Sequence, residues 1–238
     1  MKVAIHQPHF LPWLGYLHRM ASVDAFVVLD HVQFERRNYQ NRSSIRIDNE
    51  ARWLTVPVIQ RSQKELIIEK EIDNAVLWGP KHFSTLKHAY RDAGFFSSSA
   101  GELKKILESP WGRLADLTWA TLGFSRDAFG ITTPLVRSSQ LGVDGAKSDL
   151  ILSICKAVGA DRLLAGFGGS RGYLDMNAFA AAGVAIEYHQ FTHPEYRQCG
   201  TAPFMPGLAA IDLLFNSGPQ SREILFGEPA RHASCAAA

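Results

Sequence analysis

The sequence predicts an α/β protein built on a doubly wound, mostly parallel sheet, with a small antiparallel β excursion and a helical insertion. Two observations predict it. Strand, helix and strand follow one another within the first 30 residues, as "KVAIHQ", "LPWLGYLHRMASV" and "DAFVVLD", and such a βαβ unit implies parallel pairing. The same alternation returns from residue 131, supplying the second half of a sheet with helices on both faces.

Each element has a local reason. "KVAIHQ" carries Val3, Ala4 and Ile5 in succession, as a strand buried on both faces requires. In the helix that follows, Pro12 falls near the first turn, where a missing N–H costs nothing. "DAFVVLD" is apolar between Asp24 and Asp30. Residues 31–73 change texture: "RWLTVPVI" and "ELIIEKEI" read as antiparallel strands, with Pro57 at an edge or a strand end. "AVLWGPKHFSTLKHAYRDAGFF" then places Trp78, His82, Leu86 and Tyr90 at four-residue spacing, on one helix face. "KKILESPWGRLADLTWATLGFSRDAFG" supplies a further helix or a broken pair. "TPLVRSS", "DRLLAGF" and "VAIEYHQF" read as strands, separated by the helices "AKSDLILSICKAVGA" and "YLDMNAFAAAG", and "AAIDLLFNSG" as a last short helix. The expected organisation is one α/β domain over 1–238: a core of 1–30 and 131–218, a β-hairpin and helical excursion over 31–130, and a tail over 219–238.

Composition bounds the function. A chain of 238 residues with 46% hydrophobic content can bury a large core. A formal net charge of +2 makes no general case for nucleic acid or a membrane surface, so any basic patch must be local. The three cysteines, Cys155, Cys199 and Cys235, form no CxxC pair, which suggests neither a disulfide framework nor a zinc site. The strand begins directly after Met1, and no apolar run reaches the roughly 20 residues of a membrane span. A cytoplasmic setting is expected.

Ligands of open parallel sheets sit beyond the carboxyl ends of the strands. Four segments hold that position here: His6 to His9, Asp30 to Gln33, Ser138 to Gly145, and Gly166 to Gly172. His6 is a candidate general base, or a donor to a phosphate or an oxyanion; a bond to a neighbouring loop is its structural alternative. Gln7 follows it at the same helix entrance. Asp30 can orient His6, hold a cation, or simply serve a turn. "QFERRNYQNR" offers Gln33, Arg37, Asn41 and Arg42, whose guanidinium forks suit phosphate or carboxylate, or else form a solvated hairpin. "GFGGSRGYLD" offers Gly166, Gly168, Arg171, Tyr173 and Asp175. Its glycines allow close approach to a phosphate, although the spacing is not GxGxxG. His82 shares a face with Trp78 and Leu86 and is a core histidine or a further catalytic candidate. No histidine pair has metal-ligand spacing with carboxylates, so no metal is expected.

Several of these stretches together resemble the WbqC-like family: "VAIHQPHFLPWLGYLHRM", "DAFVVLDHVQFERRNYQNRSSIR", "WLTVPV", "AVGADRLLAGFGGSRGYLD" and "FMPGLAAIDLLFNSG". Members occur in bacterial O-antigen and other polysaccharide gene clusters. The resemblance implies transfer of glycine, or a similar acyl group, to an amino sugar. His9 and Phe10 stand where the family often has Asn and Tyr, which favours His6 over His9 as the catalytic residue. The first 40 residues also resemble the opening of the HIGH-type nucleotidylyltransferase superfamily, which includes pantothenate synthetase and the aminoacyl-tRNA synthetases. Trp13-Leu14-Gly15-Tyr16-Leu17 stands where those carry His-x-Gly-His-Leu. The glycine matches and the histidines do not. A Rossmann-like, HUP-type fold carries over, while adenylylation through those histidines is put in doubt.

Three functions are therefore weighed. The first is an acyl or aminoacyl transferase forming an amide on a nucleotide-linked amino sugar, with CoA or a carrier-protein thioester as the donor and a carrier protein as a partner. The second is an ATP-dependent ligase or nucleotidylyltransferase. The third is a non-catalytic binding protein on a degenerate nucleotide fold.

Overall fold

A computed structural model describes residues 1–166 and 172–227. Its centre is a five-stranded sheet in which every pairing is parallel. The strands are β1 (Lys2–His6), β2 (Ala25–Val28), β5 (Leu135–Arg137), β6 (Arg162–Ala165) and β7 (Ala185–Tyr188), in the order β5-β2-β1-β6-β7. Counting only these strands in sequence order, that is 3-2-1-4-5, the Rossmann arrangement.

The strands are apolar throughout because both faces of the sheet are covered. Ala4, Phe26, Val28 and Leu164 face one core. Helix α1 (Leu14–Ala21) packs there with Leu14, Leu17 and Met20, together with the helical insertion α2 (Trp78–Ala89), α3 (Phe96–Glu108) and α4 (Leu114–Ala128), and with α7 (Ile211–Ser217). Val3, Val27, Leu163 and Ala165 face the other. There α5 (Lys147–Ala157) contributes Leu150, Ile151 and Ile154, and α6 (Met176–Ala181) contributes Phe179. Cys155 is fully buried in this layer, and burial pushes its thiol up to about 12. A short α8 (Ser221–Phe226) follows α7.

The excursion differs from expectation in its strands. The antiparallel pair is β3 (Arg42–Ile47) with β4 (Glu50–Thr55), not residues 52–59 with 65–72. Asp48 and Asn49 make the turn at φ 48 and 66, the two left-handed positions of a tight hairpin turn. "ELIIEKEI" becomes a 3₁₀ turn over Ile67–Glu69, and Val58 meets Ile72 only in an isolated bridge. β3, "RSSIRI", carries polar residues into the interior, and Arg46 is buried. It donates to the side chains of Gln198 at 3.1 Å and Asn49 at 2.9 Å, and to the Ala202 carbonyl at 2.9 Å. Partners 150 residues away make the polar strand possible. The long helical stretch 104–130 is the broken pair, interrupted after Glu108 by Pro110 and Gly112.

Helices α2 and α3 approach closely because Gly79 has no side chain. A Cβ there would lie 2.0 Å from the Leu107 carbonyl oxygen. Gly79→Ala is expected to force the helices apart and lose about 1–3 kcal/mol, read as a lower urea midpoint at an unchanged slope.

Candidate functional site

Strands β1 and β6 pair only through Lys2 with Arg162 and Val3 with Leu163. A crevice opens beyond their carboxyl ends. It is the point where the strand order reverses, the usual ligand position of such sheets. Two lobes of about 550 and 590 Å³ share His6, Arg19 and Gly166 as common walls. One is lined by Trp13, Tyr16, His189 and Phe191. The other reaches past Gln7, His9, Asn38, Tyr39 and Tyr173.

His6 ends β1 at this junction. Its Nδ1 lies 2.9 Å from the Gln7 carbonyl, which can only accept, so the proton of the neutral ring sits on Nδ1 and the lone pair on Nε2. Tyr16 donates to the same carbonyl at 3.2 Å, and Gln40 donates to the Gln7 side chain at 2.8 Å. His6 packs against His9 and Tyr16 with ring centroids 4.8 and 5.0 Å away. Burial, then the charge of Arg19, holds the His6 pKa well below the ordinary value, and His9 is lowered to about 3 by the same causes. Both rings are neutral at pH 7.

Arg19 stands one turn after Tyr16 on α1 and is 5% exposed. Its Nη2 is buried and has no hydrogen-bond partner among the described residues. Burial lowers its pKa to about 10, so it remains a cation at neutral pH. Nη1 lies against Gly166, where a Cβ would stand 2.5 Å away. His18, next to it, pairs with His189 at 2.8 Å and ties α1 to the segment after β7. The His189 pKa is lowered to about 4, first by burial and then by the charges of His18 and Arg19.

The sequence candidates divide. His6, Gln7, Gly166 and Tyr173 meet at the cleft. Asp30 is 2% exposed and accepts from Ser139 N at 2.9 Å, Ser139 Oγ at 3.0 Å and Ser138 Oγ at 3.1 Å. It clamps the end of β2 to the residues after β5, while His6 bonds to Gln7 instead. Asp30 therefore does not orient His6. His31 Nδ1 lies 2.6 Å from Ser138 Oγ, but the serine's proton goes to Asp30 and Ser138 is 1% exposed. That cluster lacks the Asp–His–Ser order of a catalytic relay.

His82 packs against Trp78 and Phe10, away from the cleft lining, with its pKa lowered to about 4 chiefly by burial. Gln33 donates to the Gln63 carbonyl at 2.8 Å. Asp175 caps α6, accepting from Asn177 N and Ala178 N at 3.0 and 3.1 Å. Arg37, Asn41 and Arg42 line a separate pocket with Arg36 and Phe34. Gly168 and Arg171 lie outside the described residues. Among the described residues, no group of three or more His, Cys, Asp or Glu is placed to hold a metal ion, and no helix is long and apolar enough to cross a membrane.

Arg19 was not among the sequence candidates. The available signal was a lone arginine among the apolar positions of α1, where Leu14, Tyr16, Leu17 and Met20 are all buried. His189 and Phe191 belong to the aromatic, pocket-like stretch "HQFTHPEY".

The strand order and its crevice define a Rossmann-like α/β protein with a cleft at the switch point. The chain belongs to the WbqC-like protein family, whose pattern matches residues 7–224. It is 28% identical over 226 residues to a Mycobacterium tuberculosis protein named "Uncharacterized protein Rv1507c", covering 94% of this chain and 97% of that protein. No solved structure matches it.

Two predictions follow from the geometry. Asp30→Ala is expected to cost about 2–3 kcal/mol, because it orphans buried donors, and this is measurable by chemical denaturation. His6 and His9 take up protons in the unfolded chain near 6.5 but resist them when folded. The unfolded state then binds more protons below pH 6.5, so stability is complete above that value and declines as pH falls, by about 1.4 kcal/mol per unit for each histidine. Thermal melts from pH 8 to pH 5 test the sign.

Proposed function

We propose that the chain is an acyl or aminoacyl transferase that forms an amide on an amino sugar, nucleotide-linked, during assembly of a bacterial surface polysaccharide. One observation carries the reading: a neutral histidine with its Nδ1 proton fixed on Gln7 and its Nε2 lone pair free, at the junction of two lobes. Two lobes suit two reactants, and membership of the WbqC-like family supports the substrate class.

The chemistry asks little else. Amide formation from a thioester, of CoA or a carrier protein, needs a base for the amine proton as nitrogen attacks the carbonyl. His6 Nε2 takes that proton. Collapse of the tetrahedral intermediate breaks the C–S bond, and the imidazolium returns the proton to the departing sulfur. A base already neutral at pH 7 performs the first step without prior deprotonation.

A second reading, an ATP-dependent ligase, draws on the 3-2-1-4-5 strand order and the position of the cleft. Against it, Tyr16 is 2% exposed with its hydroxyl on Gln7, and Trp13 packs edge-on to Phe191 at 5.6 Å. Neither supplies the cationic donor of the missing histidines.

The test is incubation with a nucleotide-linked amino sugar and glycyl or acyl thioesters, followed by mass spectrometry for the new amide. His6→Asn is expected to lower kcat about 10²- to 10⁴-fold. With His6 held below its ordinary value, the wild-type rate should not vary with this group above pH 6.5. Amide formation only with ATP, accompanied by release of AMP, would establish the ligase; no product from any donor sinks both.

A further inference from the structure

A guanidinium taken out of water without a partner carries a large desolvation cost, and folded proteins ordinarily pair such groups. Arg19 is an exception. It is 5% exposed, and among the described residues its buried Nη2 has no hydrogen-bond partner and no carboxylate forms an ion pair with it. The groups whose charge would partly compensate it are the hydroxyls of Tyr16 and Tyr173, and burial pushes both of those up, keeping them neutral. His6 and His9 beside it are also neutral. The cation borders both lobes of the cleft. Gly166 leaves it room, since any side chain there would collide with Nη1.

We propose that Arg19 anchors a buried oxyanion subsite, at which a reactant seats a carboxylate or phosphoryl group against the guanidinium beside His6. The inference rests on reading this cleft as the substrate site, but not on amide formation as the reaction. A planar fork with an unused N–H edge suits either anion. Seating the anion also changes the base. Arg19 depresses proton binding at His6, so neutralising that charge strengthens Nε2 as a proton acceptor at the moment a substrate arrives.

The experiment is thermal melting and calorimetry of the full chain at pH 7.5 and constant ionic strength, with inorganic phosphate, pyrophosphate and acetate as probes. A saturable rise in Tm is expected, about 5–10 °C once the ligand stands about 100-fold above its Kd. A response to acetate alone marks a carboxylate site, and a response to phosphate or pyrophosphate marks a phosphoryl site. Arg19→Met should weaken binding at least about 10-fold, the loss of one charge-assisted pair, while the ligand-free variant melts no lower than wild type, since an unpaired buried charge has been replaced by apolar bulk. Arg19→Gln serves as the second variant if Arg19→Met does not fold. Arg37→Ala, in the separate arginine pocket, should keep the response. No wild-type response, or one that survives loss of Arg19, overturns the subsite. Binding that depends on Arg19 without any amide product leaves the subsite standing and removes the transferase reading.

Discussion

The adjacency of β1 and β6, where the strand order reverses, is the constraint on which the site depends. The connections that follow these two strands leave toward opposite faces, α1 on one side and α6 on the other. Nothing from the sheet can fill the gap at their carboxyl ends. His6 is the last residue of β1 and Gly166 the first after β6, so both border the opening by topology alone. Arg19 reaches it from α1 because it follows Tyr16 by three positions and shares its helix face.

The rest of the wall comes from segments without regular structure, held by polar ties rather than by apolar packing alone. The chain from His189 to Ala210 forms no helix or strand, a length that in compact proteins usually accompanies function. His18 holds its start through His189. Tyr196 and Gln198 donate to buried Asp212 at 2.8 and 2.9 Å, and Ala210 N donates to the Pro12 carbonyl at 2.8 Å. Arg46 binds the same segment from the hairpin. The excursion over residues 31–130 and this strap therefore stabilise one another.

The core was legible because its signals are local. Unbroken apolar strands and the alternation of "DRLLAGF", "YLDMNAFAAAG" and "VAIEYHQF" report burial on two faces without reference to anything distant. The hairpin was hidden because "RSSIRI" becomes a buried strand only through acceptors some 150 residues later, which no local pattern encodes. Asp48-Asn49 did carry a hairpin signal in its tolerance of the left-handed region, although the polar texture around it masked the turn.

Of the candidate site, the sequence showed the sheet edge and only some of the residues that line the cleft, for a physical reason. Residue type shows what a side chain can bond to, whereas function depends on which of those bonds the fold leaves unmade. Asp30, Asn41 and Asp175 have the right chemistry, but their oxygens or amide are committed to Ser138 and Ser139, to the Val56 carbonyl, and to the start of α6. Arg19 and His6 Nε2 retain unused capacity, and they retain it in one cleft. A buried donor without a partner is costly, and its coexistence with an available acceptor around a single opening is informative where either alone would be weak. Burial and the charge of Arg19 keep His6 neutral, and His6 offers Arg19 no counter-charge; a molecule that brings both an anion and a proton to be lost satisfies the pair together.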